Sequence, residues 1–375
     1  MKTHTIFRIT WAFRCFKFHG LIITVGLITL SPLTYARTQG DIQPPQPRPT
    51  VSALQANESP SLLLDFGFAQ FNLLSRQEAS QFLGQQDDFI LALNGLNRSL
   101  LVGTPNNVSR QEILNYMRSQ AMEMSDEERS HVRRALSMVG KAIEDLRLDL
   151  RLSVEIKVVM TTGKDGFDSC YTRSNAIICS KRHFQLPVEK FATILAHELS
   201  HIVSRYSTQE RGDEVYGLLG FKPSEQLSLG NEINEKLMIN PDALTYHHYI
   251  MVKLLATGQS FPVVPIITVP IKQGEITPDF DLGKYLKPSL LRLESDDIPS
   301  KPLLDENGKP VTISSELTSY NEQVASNTDY TIHPEEIMAE NFSFLIRRQW
   351  LQEQNLPSPY SDNIILDKLK RLLTE

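Results

Sequence analysis

Two histidines four residues apart, with a glutamate directly after the first, form the one segment of this chain whose residue types and spacing point straight at chemistry: His197-Glu198-Leu199-Ser200-His201. On a helix, residues four apart share a face, so both imidazoles can address a single ion. Neutral imidazole nitrogen binds zinc at about 2.0–2.1 Å, and a catalytic zinc site keeps three protein ligands and one open position. Glu198 stands where a carboxylate can take the proton of a water that attacks a carbonyl. Chance produces such a pattern on the order of once per hundred chains of this kind. The apolar neighbours Ile194, Leu195, Leu199, Ile202 and Val203 argue against chance, because they predict a buried helix, and buried polar groups need partners. One zinc ion is the expected cofactor.

A third ligand is required. Ile202 to Ser207 follow the second histidine, where a metzincin pattern would place glycine and histidine, so that class is excluded. Asp213 and Glu214 lie close enough for an aspzincin-like arrangement. A more distant source is His333-Pro334-Glu335-Glu336-Ile337-Met338-Ala339-Glu340-Asn341-Phe342. Glu336 and Glu340 share a helical face, so one can bind the metal while the other accepts the free ring N–H of a ligating histidine. Glu335 is turned about 100° around that helix and is expected to face away. The plain alternative is an acidic helix start that favours the dipole, although Ile337, Met338, Phe342 and Leu345 leave little of this helix for solvent. His247 and His248 are further candidates, with a surface position the plainer reading for at least one of them.

At these residues the chain resembles the gluzincin zinc peptidases, and in particular a sparsely characterised bacterial group of them. The matching features are His197-Glu-Leu-Ser-His201, Tyr216-Gly-Leu-Leu-Gly-Phe221, Asn240-Pro-Asp-Ala243 with Tyr249-Ile250, and the segment from His333 to Phe342. They fall within roughly residues 150–350. The resemblance implies His197, His201 and Glu336 as zinc ligands, Glu198 as general base and Glu340 behind the ligands. It also implies Tyr330, six residues before Glu336, as a group that stabilises an oxyanion. About 135 positions separate His201 from Glu336, more than in compact gluzincins, so the chain between them must loop out and return.

Several elements must position these groups. Pro187 suits the first turn of a helix that runs to about Arg205 and carries the two histidines. Before it, Val154 to Thr161 has a period near two and reads as a strand, and Asn175 to Ser180 reads as a second, with Ala176 to Cys179 expected at the sheet edge. From Leu62 to Leu150 the pattern reads as helical. Its clearest helix opens with a capping box at Ser125 and Glu128 and continues with Val132, Leu136, Val139, Ile143, Leu146 and Leu150 on one stripe. Residues 222–320 read as an irregular insertion, and Phe261 to Pro270 as too proline-broken for a central strand. A last long helix starts at Pro334, and 356–375 reads as a tail helix. The fold class is α+β and zincin-like: a twisted mixed sheet, a backing helix, the histidine helix, and a C-terminal helix supplying the third ligand. The domain plan is a signal at 1–36, a Pro-rich linker at 37–60, a helical region at 61–150 and a catalytic domain at 151–355.

The context points to export. Lys2, Arg8, Arg14 and Lys17 precede the apolar run Leu21 to Leu30 and a small-residue site ending at Ala36, the layout of a secretory signal. Ten residues rise only about 15 Å as a helix, short of the roughly 30 Å of hydrocarbon, so no stable membrane insertion is expected. Losing four positive charges from a net −6 leaves −10, which disfavours a nucleic-acid partner. Cys15 leaves with the signal. Cys170 and Cys179 remain, a pair suited to a disulfide in an oxidising periplasmic or extracellular setting, with two buried thiols as the alternative. The function these readings support is an exported zinc peptidase acting on a peptide or protein. The second possibility is a zincin-fold envelope protein that binds or scaffolds, with a structural zinc held by four protein ligands.

Overall fold

The structure, a computed structural model, describes residues 60–277, 280–294 and 301–374. The expected signal and nearly all of the Pro-rich linker lie outside the described residues.

The described chain opens with a hairpin rather than a helix. β1 (Leu62–Asp65) pairs antiparallel with β2 (Gln70–Leu73), and Gly67 takes the left-handed conformation that the turn needs. The segment Leu-Leu-Leu-Asp-Phe-Gly-Phe-Ala-Gln-Phe-Asn-Leu is so dense in apolar residues that neither period stands out, yet in β2 Phe71 and Leu73 are buried in alternation. The expected helices then follow: α1 (Arg76–Leu83), α2 (Asp88–Ala92), α3 (Gly95–Val102), α4 (Arg110–Ser119) and α5 (Asp126–Leu146). In α5 the Ser125 Oγ accepts from the Glu128 N–H, and Glu128 accepts in return from the Ser125 N–H at 2.8 Å. Val132, Leu136, Val139, Ile143 and Leu146 face the core as the spacing predicts.

β3 (Ile156–Thr161) runs parallel to β2 on one side and to β5 (Ala176–Ser180) on the other, while β4 (Cys170–Arg173) pairs antiparallel with β5. The order is β1-β2-β3-β5-β4. The edge is therefore β4, not the strand from Ala176 expected there. All five residues of β5 are buried, as befits an interior strand flanked on both sides. Residues 62–73 thus belong to the same sheet as the segment before the histidine helix, and the N-terminal region is not a separate helical unit. The disulfide Cys170–Cys179 joins residues directly opposite each other in the β4–β5 hairpin, with Cα atoms 4.1 Å apart.

α6 (Val188–Tyr206) crosses this sheet, packed between α5 and the long C-terminal helix α10 (Pro334–Glu353). Between them come α7 (Gln209–Gly217), α8 (Asn231–Lys236) and α9 (Tyr320–Val324), and α11 (Ile364–Thr374) closes the chain against α10. The insertion is not irregular. Its strands β6 (Phe221–Pro223), β7 (His248–Lys253), β8 (Ser260–Thr268), β9 (Lys287–Arg292) and β10 (Thr312–Ile313) form a second antiparallel sheet in the order β10-β9-β8-β7-β6. The proline-broken segment is its central strand. Between β7 and β9 only Val263 is paired to both strands, to Ile250 and to Arg292, and Pro262 and Pro265 flank it where the ladder to one strand suffices. Ile250, Val252, Phe261 and Val263 join the same hydrophobic core as the first sheet and α6. The molecule is a mixed α+β structure, and among the described residues no helix is long and apolar enough to cross a membrane.

Candidate metal centre

Helix α6 is buried along Phe191, Leu195, Leu199 and Ile202, and this fixes which way its histidines face. His197 and His201 project toward the first turn of α10, their Nε2 atoms 3.1 Å apart. Glu336 Oε2 lies 3.2 Å from His197 Nε2 and 3.7 Å from His201 Nε2. Ligand atoms at about 2.0–2.1 Å from a tetrahedral ion stand about 3.3 Å from one another, so the triangle has the size that zinc requires. Its chemistry agrees: two imidazole nitrogens and a carboxylate oxygen converge, a donor set of the kind zinc takes.

The outer partners fix the rings. Glu335 Oε1 lies 2.9 Å from His201 Nδ1, and Glu340 Oε1 lies 3.5 Å from His197 Nδ1. Glu335 does not face away as expected. α10 meets α6 so closely that its first turn straddles His201, with Glu335 at one ring nitrogen and Glu336 at the other. Glu335 is in turn held through Oε2 by the hydroxyls of Tyr216 and Ser204. Asn240 Nδ2 donates to Glu336 Oε1 and leaves Oε2 for the histidines. The start of α10 is set by His333, whose Nδ1 accepts the Glu335 N–H at 3.2 Å and whose Nε2 donates to the Thr245 carbonyl at 3.1 Å.

Glu198 is 4% exposed, and its Oε2 has no hydrogen-bond partner. Burial, reinforced by the charge of Asp242, pushes its carboxyl up to about 8. Asp242, also raised by burial, accepts from the Thr172 N–H at 2.6 Å and the Thr172 hydroxyl at 2.7 Å. Burial works against a charge on His201, but Asp242, Glu336 and Glu335 outweigh it and raise the ring to about 9. Burial would likewise raise Glu336, yet His201 and His197 hold it down at about 2.

The other sequence candidates fall elsewhere. Asp213 accepts from His248 Nε2 at 2.8 Å, and His248 stacks edge-on against Tyr216 with ring centroids 4.7 Å apart. Glu214 is exposed. Among the described residues, two groups could hold a metal, His197 with His201 and Glu336, and Glu198 with His201 and Asp242, so neither Asp213, Glu214, His247 nor His248 takes part. Tyr330 is half-buried and lines the same cavity as His197, Glu198, Asp242 and Glu336. Sequence reasoning gave no role to Asn240, Asp242, Tyr216 or Ser204, and misplaced Glu335. The segments Tyr216–Phe221 and Asn240–Ala243 were the available signals, but spacing alone cannot say that they return to the histidine helix. Compared with protein-family models, curated proteins and solved structures, the chain matches none.

Proposed function

We propose that this protein is a zinc-dependent peptidase with a zincin-like arrangement, in which His197, His201 and Glu336 hold one metal ion and Glu198 is the general base. The observation that carries the reading is the triangle of His197 Nε2, His201 Nε2 and Glu336 Oε2, with edges of 3.1, 3.2 and 3.7 Å, beside a buried carboxylate that is not itself a corner of it. Zinc bound there would polarise a carbonyl and acidify a water, bringing its pKa to about 7.

The chain's own groups account for the rest. Glu198 Oε2, buried and unpartnered, is open to take a proton from the attacking water and to return it to the leaving amine. Glu335 and Glu340 orient the two imidazoles, and Asn240 fixes the Glu336 carboxylate. Tyr330, in the cavity wall, is the donor we assign to the developing oxyanion. The edge strand β4 borders this cavity through Cys170 and Tyr171. Export is part of the proposal, supported by the signal-like N-terminus and the disulfide.

The test is hydrolysis of a peptide library by the purified chain before and after chelation. Cleavage should vanish with the metal and return with added zinc. Glu198→Gln should keep its zinc and lose turnover by at least about 100-fold. Undiminished turnover in that variant removes Glu198 from the mechanism.

A further inference from the structure

The active-site cavity extends from His197 and Glu336 to an apolar wall formed by Phe89, Leu93, Leu101, Phe167 and Met238. Among the described residues four carboxylates line it, those of Asp165, Glu198, Asp242 and Glu336, and neither lysine nor arginine does. Glu198 and Glu336 belong to the metal centre, and Asp242 is engaged by Thr172. Asp165 has no part in any of this. It is 1% exposed; its Oδ2 accepts from the Tyr171 hydroxyl at 2.6 Å, the Thr161 side chain and its own N–H also favour the charged carboxylate, and its Oδ1 is buried without a hydrogen bond of its own.

Arg173, the cation whose charge acts on Asp165, is committed elsewhere. Its guanidinium pairs with Asp87 at 2.8 Å and donates to the carbonyls of Leu83 and Gln85. Burial accordingly pushes the Asp165 carboxyl above its ordinary value. A buried carboxylate oxygen left open costs free energy until a partner arrives. Long methylene stems ending in a cation bed their carbons on apolar surface and bring their charge to such a group. The wall and the carboxylate together present that complement.

We propose that the substrate is a peptide carrying a lysine or arginine, whose stem lies along Phe89, Leu93 and Phe167 and whose cation pairs with Asp165. This rests on the peptidase reading above. Asp165 would be a specificity-determining residue, distinct from the groups that perform the chemistry.

The experiment uses zinc-loaded protein and peptides that differ at a single position, bearing lysine, arginine, norleucine, phenylalanine or aspartate. For the wild type, kcat/KM for the lysine or arginine peptide should exceed that for norleucine by about tenfold or more, the factor that one charge-assisted contact confers. In Asp165→Asn, which can still accept from Tyr171, that ratio should collapse toward one. Norleucine or phenylalanine preferred by the wild type, or an unchanged ratio in Asp165→Asn, overturns the proposal, and the wild-type series decides the matter even if the variant folds poorly. Calorimetry with N-acetyl-lysinamide and N-acetyl-norleucinamide on metal-free protein separates the two readings. Tight binding of the lysine probe alone, lost in Asp165→Asn, with no peptide cleaved, keeps the basic-ligand site and removes the peptidase. Cleavage of apolar peptides with equal binding of both probes does the reverse.

Discussion

Glu335 and Glu336, adjacent in sequence, address opposite nitrogens of the same imidazole: Glu335 Oε1 lies 2.9 Å from His201 Nδ1, and Glu336 Oε2 lies 3.7 Å from His201 Nε2. The roughly 100° between successive helical residues usually sends them to different surroundings. Here the ring of His201 stands between them, so one turn of α10 supplies both the proposed ligand Glu336 and the carboxylate that holds the far side of the His201 ring.

Removing the orienting carboxylate should therefore weaken the site without abolishing it. Glu335→Ala is expected to lower zinc affinity by about 10- to 100-fold. Glu340→Ala should have the smaller effect, because its carboxylate is 3.5 Å from His197 Nδ1 and more exposed. Tyr216→Phe should fall in the same direction as Glu335→Ala, since its hydroxyl holds Glu335. Competition against a chelating dye reads all three. Wild-type affinity in Glu335→Ala would show that His201 is oriented by something else.

The disulfide should stabilise the hairpin that forms the cavity's edge. Cys170 and Cys179 are nine residues apart, and closing so short a loop contributes on the order of 2–3 kcal/mol. Mass spectrometry of unreduced protein from its native compartment should find the bridge, and urea denaturation of Cys170→Ser/Cys179→Ser should show a loss of that size. Two free thiols in the native protein would remove the bridge from the account.

Acid should destabilise the metal-free protein through His183, which is 3% exposed, has its Nδ1 3.3 Å from the Ser180 hydroxyl and lies between β5 and α6. Burial, with the charge of Arg182, lowers this ring to about 4, against an ordinary value of 6.5. A histidine held neutral in the folded state contributes its stability above the unfolded value, and that contribution is lost as pH falls from about 6.5 toward about 4. Chemical denaturation of metal-free protein between pH 7 and pH 4.5 should show this slope, and His183→Gln should flatten it. An identical slope in the variant assigns the acid sensitivity to other groups.

How far the site could be read from the sequence follows from how local each feature is. The α6 motif, the α5 capping box, the start of α10 at Pro334 and the Cys170–Cys179 pairing depend on spacings within one element or one hairpin, and these were legible. Glu336 was legible as a candidate because Glu340 shares its face. What the sequence did not disclose are relations set by packing. Asp242 and Asn240 reach the centre only because the second sheet returns the chain to α6. Glu335 turns inward only because α10 crosses α6 at His201. The central position of β8 was hidden for a related reason, since proline lacks a ladder donor, yet the offset of β7 and β9 leaves Val263 as the one residue paired to both of these strands.

The zinc content of Glu336→Ala, measured by elemental mass spectrometry after equilibration with a fixed chelator concentration, tests the central claim most directly. A ligand carboxylate must come within about 2.0–2.2 Å of the ion, and among the described carboxylates only that of Glu336 converges with both His197 Nε2 and His201 Nε2. The account predicts one zinc per chain in the wild type and in Asp213→Ala, and none in Glu336→Ala under the same conditions. One zinc per chain in Glu336→Ala, held as tightly as in the wild type while Asp213→Ala loses it, would contradict the account.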